Sequence, residues 1–168
     1  MSKGFKPVVS MGDLDLEPFS QGAHYASSDA GVSEALRLTQ LGASYCEVPP
    51  GKAACPFHVH HVEDEMFVIL EGSGTYRFGD TRYAVAAGDV LGAPRGGPAY
   101  AHKLTNTGDT TLRYLAISSR SDTDVCEYPD SGKFLVASRK SLGFERRFEY
   151  IGRKSEGRDY WEGEDSAD

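Results

Sequence analysis

The chain has 168 residues, of which 39% are hydrophobic, enough for one packed domain with extensions and more than a disordered chain carries. Eighteen Lys and Arg against 25 Asp and Glu give a net charge of −7, which argues against general nucleic-acid binding but leaves room for a local arginine cluster facing an anionic ligand. No apolar run is long enough to cross a bilayer, residues 1–7 lack a signal-peptide core, and three irregularly spaced cysteines (Cys46, Cys55 and Cys126) suit reduced thiols, so the expectation is a cytoplasmic protein with no membrane partner.

Residues 1–33 are rich in turn formers and read as a loosely held N-terminal arm, in which His24 stands alone in a polar stretch and is expected to be exposed. Strand signals begin at residues 35–39 and 43–48 and are broken by Pro49-Pro50-Gly51. Short strands are then expected at residues 57–60, 65–70, 74–78, 82–86, 89–92, 100–105 and 110–117, separated by Gly, Asp or Pro. Many short strands with regular turn signals and no strong amphipathic helical period indicate an all-β sandwich or barrel over residues 34–120. From residue 121 the chain is more charged. It offers a turn at 128–133, an apolar patch at Phe134-Leu-Val, a further strand at 146–151 and an acidic end. This extension, 121–168, is expected to pack on the barrel or on a partner subunit, with Trp161, the only tryptophan, packed in a core.

Four of the five histidines fall in two segments. His58-Val59-His60 places two imidazoles on one face of an extended strand, because side chains alternate with a period of two. Glu65 has the wrong parity for the same unbroken strand, but His61-Val-Glu-Asp is polar enough to form a turn that resets the register before the strand Glu65-Met-Phe-Val-Ile-Leu. His102 must reach them from a distant strand, which requires a sheet that curls back on itself. Three imidazoles and one carboxylate make a borderline-soft site for a divalent metal and leave coordination positions for water or substrate. His61 points away from His58 and His60 and is expected at the surface or behind the ligands. Cys55 reads as a small apolar side chain rather than a ligand.

At these residues the chain resembles the cupin family. The first family motif appears as Gly51, six residues, His58-Val-His60, four residues, Glu65, six residues, Gly72. The second appears as Gly88, five residues, Pro94-Arg-Gly96, five residues, His102, three residues, Asn106. One extra residue follows Gly51 and three extra precede His102, a longer loop at the barrel mouth. The resemblance covers roughly residues 40 to 118. It implies a cupin jelly-roll β-barrel, with a short N-terminal arm and a C-terminal extension, enclosing one divalent metal ion (Zn, Fe, Mn or Ni) held by His58, His60, Glu65 and His102. It also implies a homodimer that shares strands. Phe67, Ile69, Tyr76, Phe78, Val85 and Leu115 are expected to line the barrel, and Gly72 and Gly88 to permit turns with positive φ.

Fold does not decide function. The expected reading is a metal-dependent enzyme on a small-molecule substrate, similar to single-domain bacterial cupins of the sugar-phosphate isomerase-like kind. In that reading the metal polarises a carbonyl while a base moves a proton between adjacent carbons. Glu65 and Tyr100 are the catalytic candidates, Glu65 as a ligand and Tyr100 as base, with metal-bound hydroxide as an alternative base. Arg95, Lys52 and Arg77 are candidates to hold a phosphate, and Tyr76 to face the substrate. Two alternatives stand beside it: an Fe(II) dioxygenase, for which the same ligands serve equally well, and a non-enzymatic binding protein for a small sugar or acid.

Overall fold

The computed structural model describes residues 5–139 and 146–164. The described residues form thirteen strands: β1 (Glu17–Gln21), β2 (Tyr25–Gly31), β3 (Leu41–Val48), β4 (Val59–His60), β5 (Glu65–Glu71), β6 (Ser73–Phe78), β7 (Thr81–Ala86), β8 (Val90–Ala93), β9 (His102–Thr105), β10 (Leu112–Ser119), β11 (Thr123–Tyr128), β12 (Lys133–Arg139) and β13 (Arg146–Arg153). Helix is confined to short turns, and none among the described residues is long and apolar enough to cross a membrane.

One layer is a six-stranded sheet in the order β1-β2-β3-β10-β5-β8. The other is built from β13-β12-β11-β4 and β9-β6-β7, joined where His58 and His102 exchange backbone hydrogen bonds of 3.0 and 2.7 Å. The pairings between strands are antiparallel throughout. The two layers face one another as a double-sheet jelly roll, the arrangement that the alternation of apolar and polar residues requires. Val48, Phe67, Ile69, Leu91, Leu112 and Tyr114 from the first layer meet Tyr76, Val85 and Leu104 from the second. On β5 the period of two is plain: Phe67 and Ile69 point inward while Met66 and Leu70 are exposed. Leu115, expected inside, is only half-buried, because Leu112 and Tyr114 take the inward parity of β10.

Two segments differ from expectation. Residues 17–31 are not a loose arm; they form the β1–β2 hairpin, and β2 continues the sheet alongside β3. Ser27-Ser28-Asp29 has little strand preference of its own, but β2 lies between two partners that satisfy its backbone, and Ser27 and Ala30 are buried there. Residues 35–39 do not form a strand. Val32–Ala35 is a single helical turn whose local bonds, Leu36 N–H to Val32 O and Leu38 N–H to Ser33 O, hold the backbone instead, and Arg37 takes φ 55° at its end. Trp161 is exposed and stacks edge-on with Tyr160 rather than entering a core.

Gly72 and Gly88 have φ of +83° and +96°, and a Cβ on Gly72 would meet Thr111 O at 2.7 Å. Asn106 closes the loop after β9. Its Nδ2 donates to Val48 O and Thr110 O, both at 2.8 Å, and its Oδ1 accepts from Gly108 N–H at 3.0 Å. The residue is fully buried, so Asn106→Ala strands polar groups with no access to water. The expected cost is about 2–4 kcal/mol. Calorimetric unfolding should show a midpoint lower by roughly 5–15 °C. A midpoint unchanged in the variant would mean that this side chain does not hold the loop.

Candidate metal centre

Phe57 and Val59 are buried together with Ala101 on one face of the segment leading into β4. The alternation then turns His58 and His60 to the other face, toward the interior. Residues 61–64 form the turn that resets the register. Within it Glu63 is buried and accepts from Ser121 N–H at 2.8 Å, and Asp64 accepts from Arg95 N–H at 2.9 Å. Glu65, the first residue of β5, thereby reaches the imidazoles, and His102, the first of β9, arrives across the bridge to His58.

His58, Glu65 and His102 place their donor atoms within 4.8 Å of one another, and His60 joins them through Glu65. Glu65 Oε2 lies 3.0 Å from His102 Nε2, 3.4 Å from His58 Nε2 and 3.5 Å from His60 Nε2. Two of the outer ring nitrogens, those of His58 and His60, are fixed from behind. His58 Nδ1 sits 2.8 Å from Pro56 O, which accepts only if Nδ1 carries a proton. His60 Nδ1 pairs closely with Asp124 Oδ2, and Asp124 Oδ1 accepts from Val62 N–H at 3.0 Å. A carbonyl or carboxylate behind an imidazole is the usual support of a histidine ligand, because it aims the Nε2 lone pair forward.

Three imidazole nitrogens face one carboxylate oxygen here, an arrangement that needs a proton or a metal ion between them. Burial works to raise the Glu65 carboxyl, but hydrogen bonds from His102 and His58 outweigh it and hold that group well below the usual carboxylate range. Burial lowers His58, yet its contacts with Cys55 and Glu65 outweigh that and raise it. Burial pushes His102 down, keeping it neutral. The donor set therefore fits a divalent cation, which would take the place of the proton on His58. Below the raised His58 value, metal uptake must displace that proton. Apparent affinity should then rise with pH, by about tenfold per unit for one proton. Competition titrations against a chelator at several pH values, corrected for the chelator, check this; a flat profile would contradict it.

Cys126 pairs in register with His60 across β11 and β4, and its sulfur forms a second possible donor group with His58 and His60. Burial pushes its thiol up to about 11, so a metal bound there would have to displace its proton. His60, Glu63 and Asp124 form a third, overlapping group. His61 turns outward and pairs with Glu127 at 3.3 Å, and His24 is exposed.

A cleft of about 180 Å³ opens beside the cluster, lined by His58, His60, Asp124, Cys126, Tyr128 and Arg139 among others. The residues expected from sequence to bind substrate, and Tyr100 expected as the base, stand elsewhere. Lys52 Nζ donates to Ala23 O at 2.6 Å. Arg77 stacks 3.5 Å over the Phe57 ring and pairs with Asp130 at 2.7 Å. Arg95 is exposed, its guanidinium 3.3 Å from Val62 O. Tyr76 is in the core, its hydroxyl donating to Gly92 O at 2.9 Å and its ring 6.1 Å from that of His102. Tyr100 is 45% exposed and packs edge-on against Phe78. None of these five lines the cleft.

Residues 44–118 match the cupin domain. A Thermotoga maritima protein named oxalate-binding protein is 30% identical over 95 residues, covering 56% of this chain and 71% of that protein. The chain belongs to the cupin family. This cupin is also 32% identical over 84 residues to an uncharacterized protein from Methanocaldococcus jannaschii, covering 48% of this chain and 64% of that protein, just under two thirds of its length. Among solved structures, it is similar to a candidate sugar phosphate isomerase from Acidithiobacillus ferrooxidans. The TM-score is 0.75 and the identity 26%, over 92% of this cupin and 96% of that chain. Asp124, Cys126, Tyr128 and Arg139, which wall the cleft, all lie beyond the matched window.

Proposed function

We propose that this cupin holds one divalent metal ion at His58, His60, Glu65 and His102 and interconverts an aldose and a ketose carrying a phosphate. The observation that carries the reading is the convergence of three imidazole nitrogens on one carboxylate oxygen beside a cleft of about 180 Å³. Likeness to the Acidithiobacillus ferrooxidans protein over almost the whole chain supports the substrate class. A divalent ion bound there supplies Lewis acidity to a substrate carbonyl. The chain's own residues do the rest. Pro56 O and Asp124 orient two of the imidazoles, and Leu135 and Ala137 give the cleft an apolar wall. Tyr128 lines the cleft with its ring 6.3 Å from that of His58. Tyr100 stands outside it, so the proton-moving role expected of a phenol falls to Tyr128. The test is proton exchange: metal-loaded protein in D₂O should introduce deuterium beside the carbonyl of a sugar phosphate, and His102→Ala should abolish it. No exchange in any aldose or ketose phosphate would contradict the reading.

A second reading, binding without turnover, has its own support. The carboxylates nearest the centre are all engaged: Asp124 by His60, Glu63 by Arg139, and Glu65 by three imidazoles. None of them stands ready as a general base, and one relative is named an oxalate-binding protein. Tight retention of oxalate with no deuterium exchange into sugar phosphates would favour this reading over the first.

A further inference from the structure

We infer that Arg139, at the end of β12, is the group on which the anionic end of the substrate docks, and that this end is a small oxyanion, a phosphate ester or a carboxylate. The inference rests on the proposed metal centre for where the reacting end lies. Arg139 is the one Lys or Arg among the described residues lining the cleft over His58, His60 and Asp124. It also lines a second cleft, of about 290 Å³, whose walls include Glu65, Ser118 and Arg120. The ligand cluster thus has an opening on two sides, and Arg139 is shared by both.

Its position is fixed. Glu63, 3% exposed, accepts from Arg139 Nη1 at 2.7 Å and from Ser121 N–H at 2.8 Å, so a buried carboxylate pinned by a backbone donor holds the guanidinium. The Arg139 side chain keeps 28% of its surface. A guanidinium has five N–H donors in a planar fork that matches carboxylate and phosphate, and Glu63 engages it through Nη1. The need for a cation here is electrostatic. Glu63, Glu65 and Asp124 crowd this end of the barrel, and the chain as a whole carries −7. An anion approaching the cluster meets repulsion unless a fixed positive charge offsets it. Lys52, Arg77 and Arg95 are held elsewhere by the contacts already described. Arg139 lies outside the window that matches the family domain, so the selectivity belongs to the β11–β12 hairpin of this chain.

The test titrates inorganic phosphate, and separately oxalate, into the full chain by calorimetry, with metal content measured on the same samples. The proteins compared are the natural sequence, Arg139→Gln, Arg139→Lys, and Glu63→Gln combined with Arg139→Gln. The double variant removes the buried carboxylate that the single one would strand, so loss of folding cannot imitate loss of binding. Both Arg139→Gln proteins should bind at least one of the anions about tenfold more weakly, as expected for a lost charge-assisted contact, and Arg139→Lys should fall between. Exposed Arg82→Gln on β7 should stay within about twofold. Weakening confined to phosphate identifies a phosphate ester, and weakening confined to oxalate a carboxylate. Unchanged affinity for both anions in the double variant, or no binding of either anion by the natural chain, overturns the proposal. Arg139-dependent binding in protein that takes up no metal would keep the anion site and sink the metal-centre reading alone.

Discussion

His102→Ala is expected to weaken metal binding by at least about 100-fold, more than loss of a supporting residue costs. His102 has the shortest contact to Glu65, 3.0 Å, and is 2% exposed, so no other side chain can move in from solvent to replace it. The backbone bridge to His58 survives the substitution, because it runs through main-chain atoms. The folded barrel should therefore persist while the centre is lost. His61→Ala is the matched control, since His61 faces outward onto Glu127 and should keep its metal. Elemental analysis after exhaustive desalting, with circular dichroism to confirm folding, reads both variants. Full metal retention in the His102 variant would mean that the four-residue set has been wrongly assigned.

Asp124→Asn should reduce metal affinity by about 10- to 100-fold without loss of fold. The change keeps size and leaves an oxygen that can still accept from Val62 N–H. What it removes is the acceptor behind His60 Nδ1. An amide nitrogen turned toward that ring would donate to Nδ1 and move the imidazole proton to Nε2, the atom that faces Glu65. Competition titrations at fixed pH measure the loss, and an affinity equal to that of the natural chain would show that Asp124 does not orient the ligand.

The convergence of His58, His60 and Glu65 was legible because its logic is local. His58 and His60 share a face by strand parity, and residues 61–64 reset the register so that Glu65 joins them. Arg77 could also have been read: with Tyr76 inward, the same parity sends Arg77 to the opposite face, where it stacks on Phe57. Other features depend on pairings that a single sequence does not display. Asp124 reaches His60 across 64 residues and Arg139 reaches Glu63 across 76, each through strand register rather than spacing. Asp124, Cys126 and Tyr128 do alternate along β11, a pattern consistent with one shared face, but nothing local says which strand they meet. The β1–β2 hairpin was hidden for a related reason, since its serines and aspartate adopt strand only because β3 offers an edge to pair with.

The measurement that tests the metal centre most directly is X-ray absorption at the metal edge on tag-free protein purified without chelator, with metal quantified by elemental analysis. About one divalent ion per chain is expected, surrounded by nitrogen and oxygen with imidazole scattering from three histidines and no sulfur near 2.3 Å. A sulfur neighbour would move the centre onto Cys126 with His58 and His60. No metal, even after reconstitution with zinc, manganese, iron or nickel, would contradict the account outright.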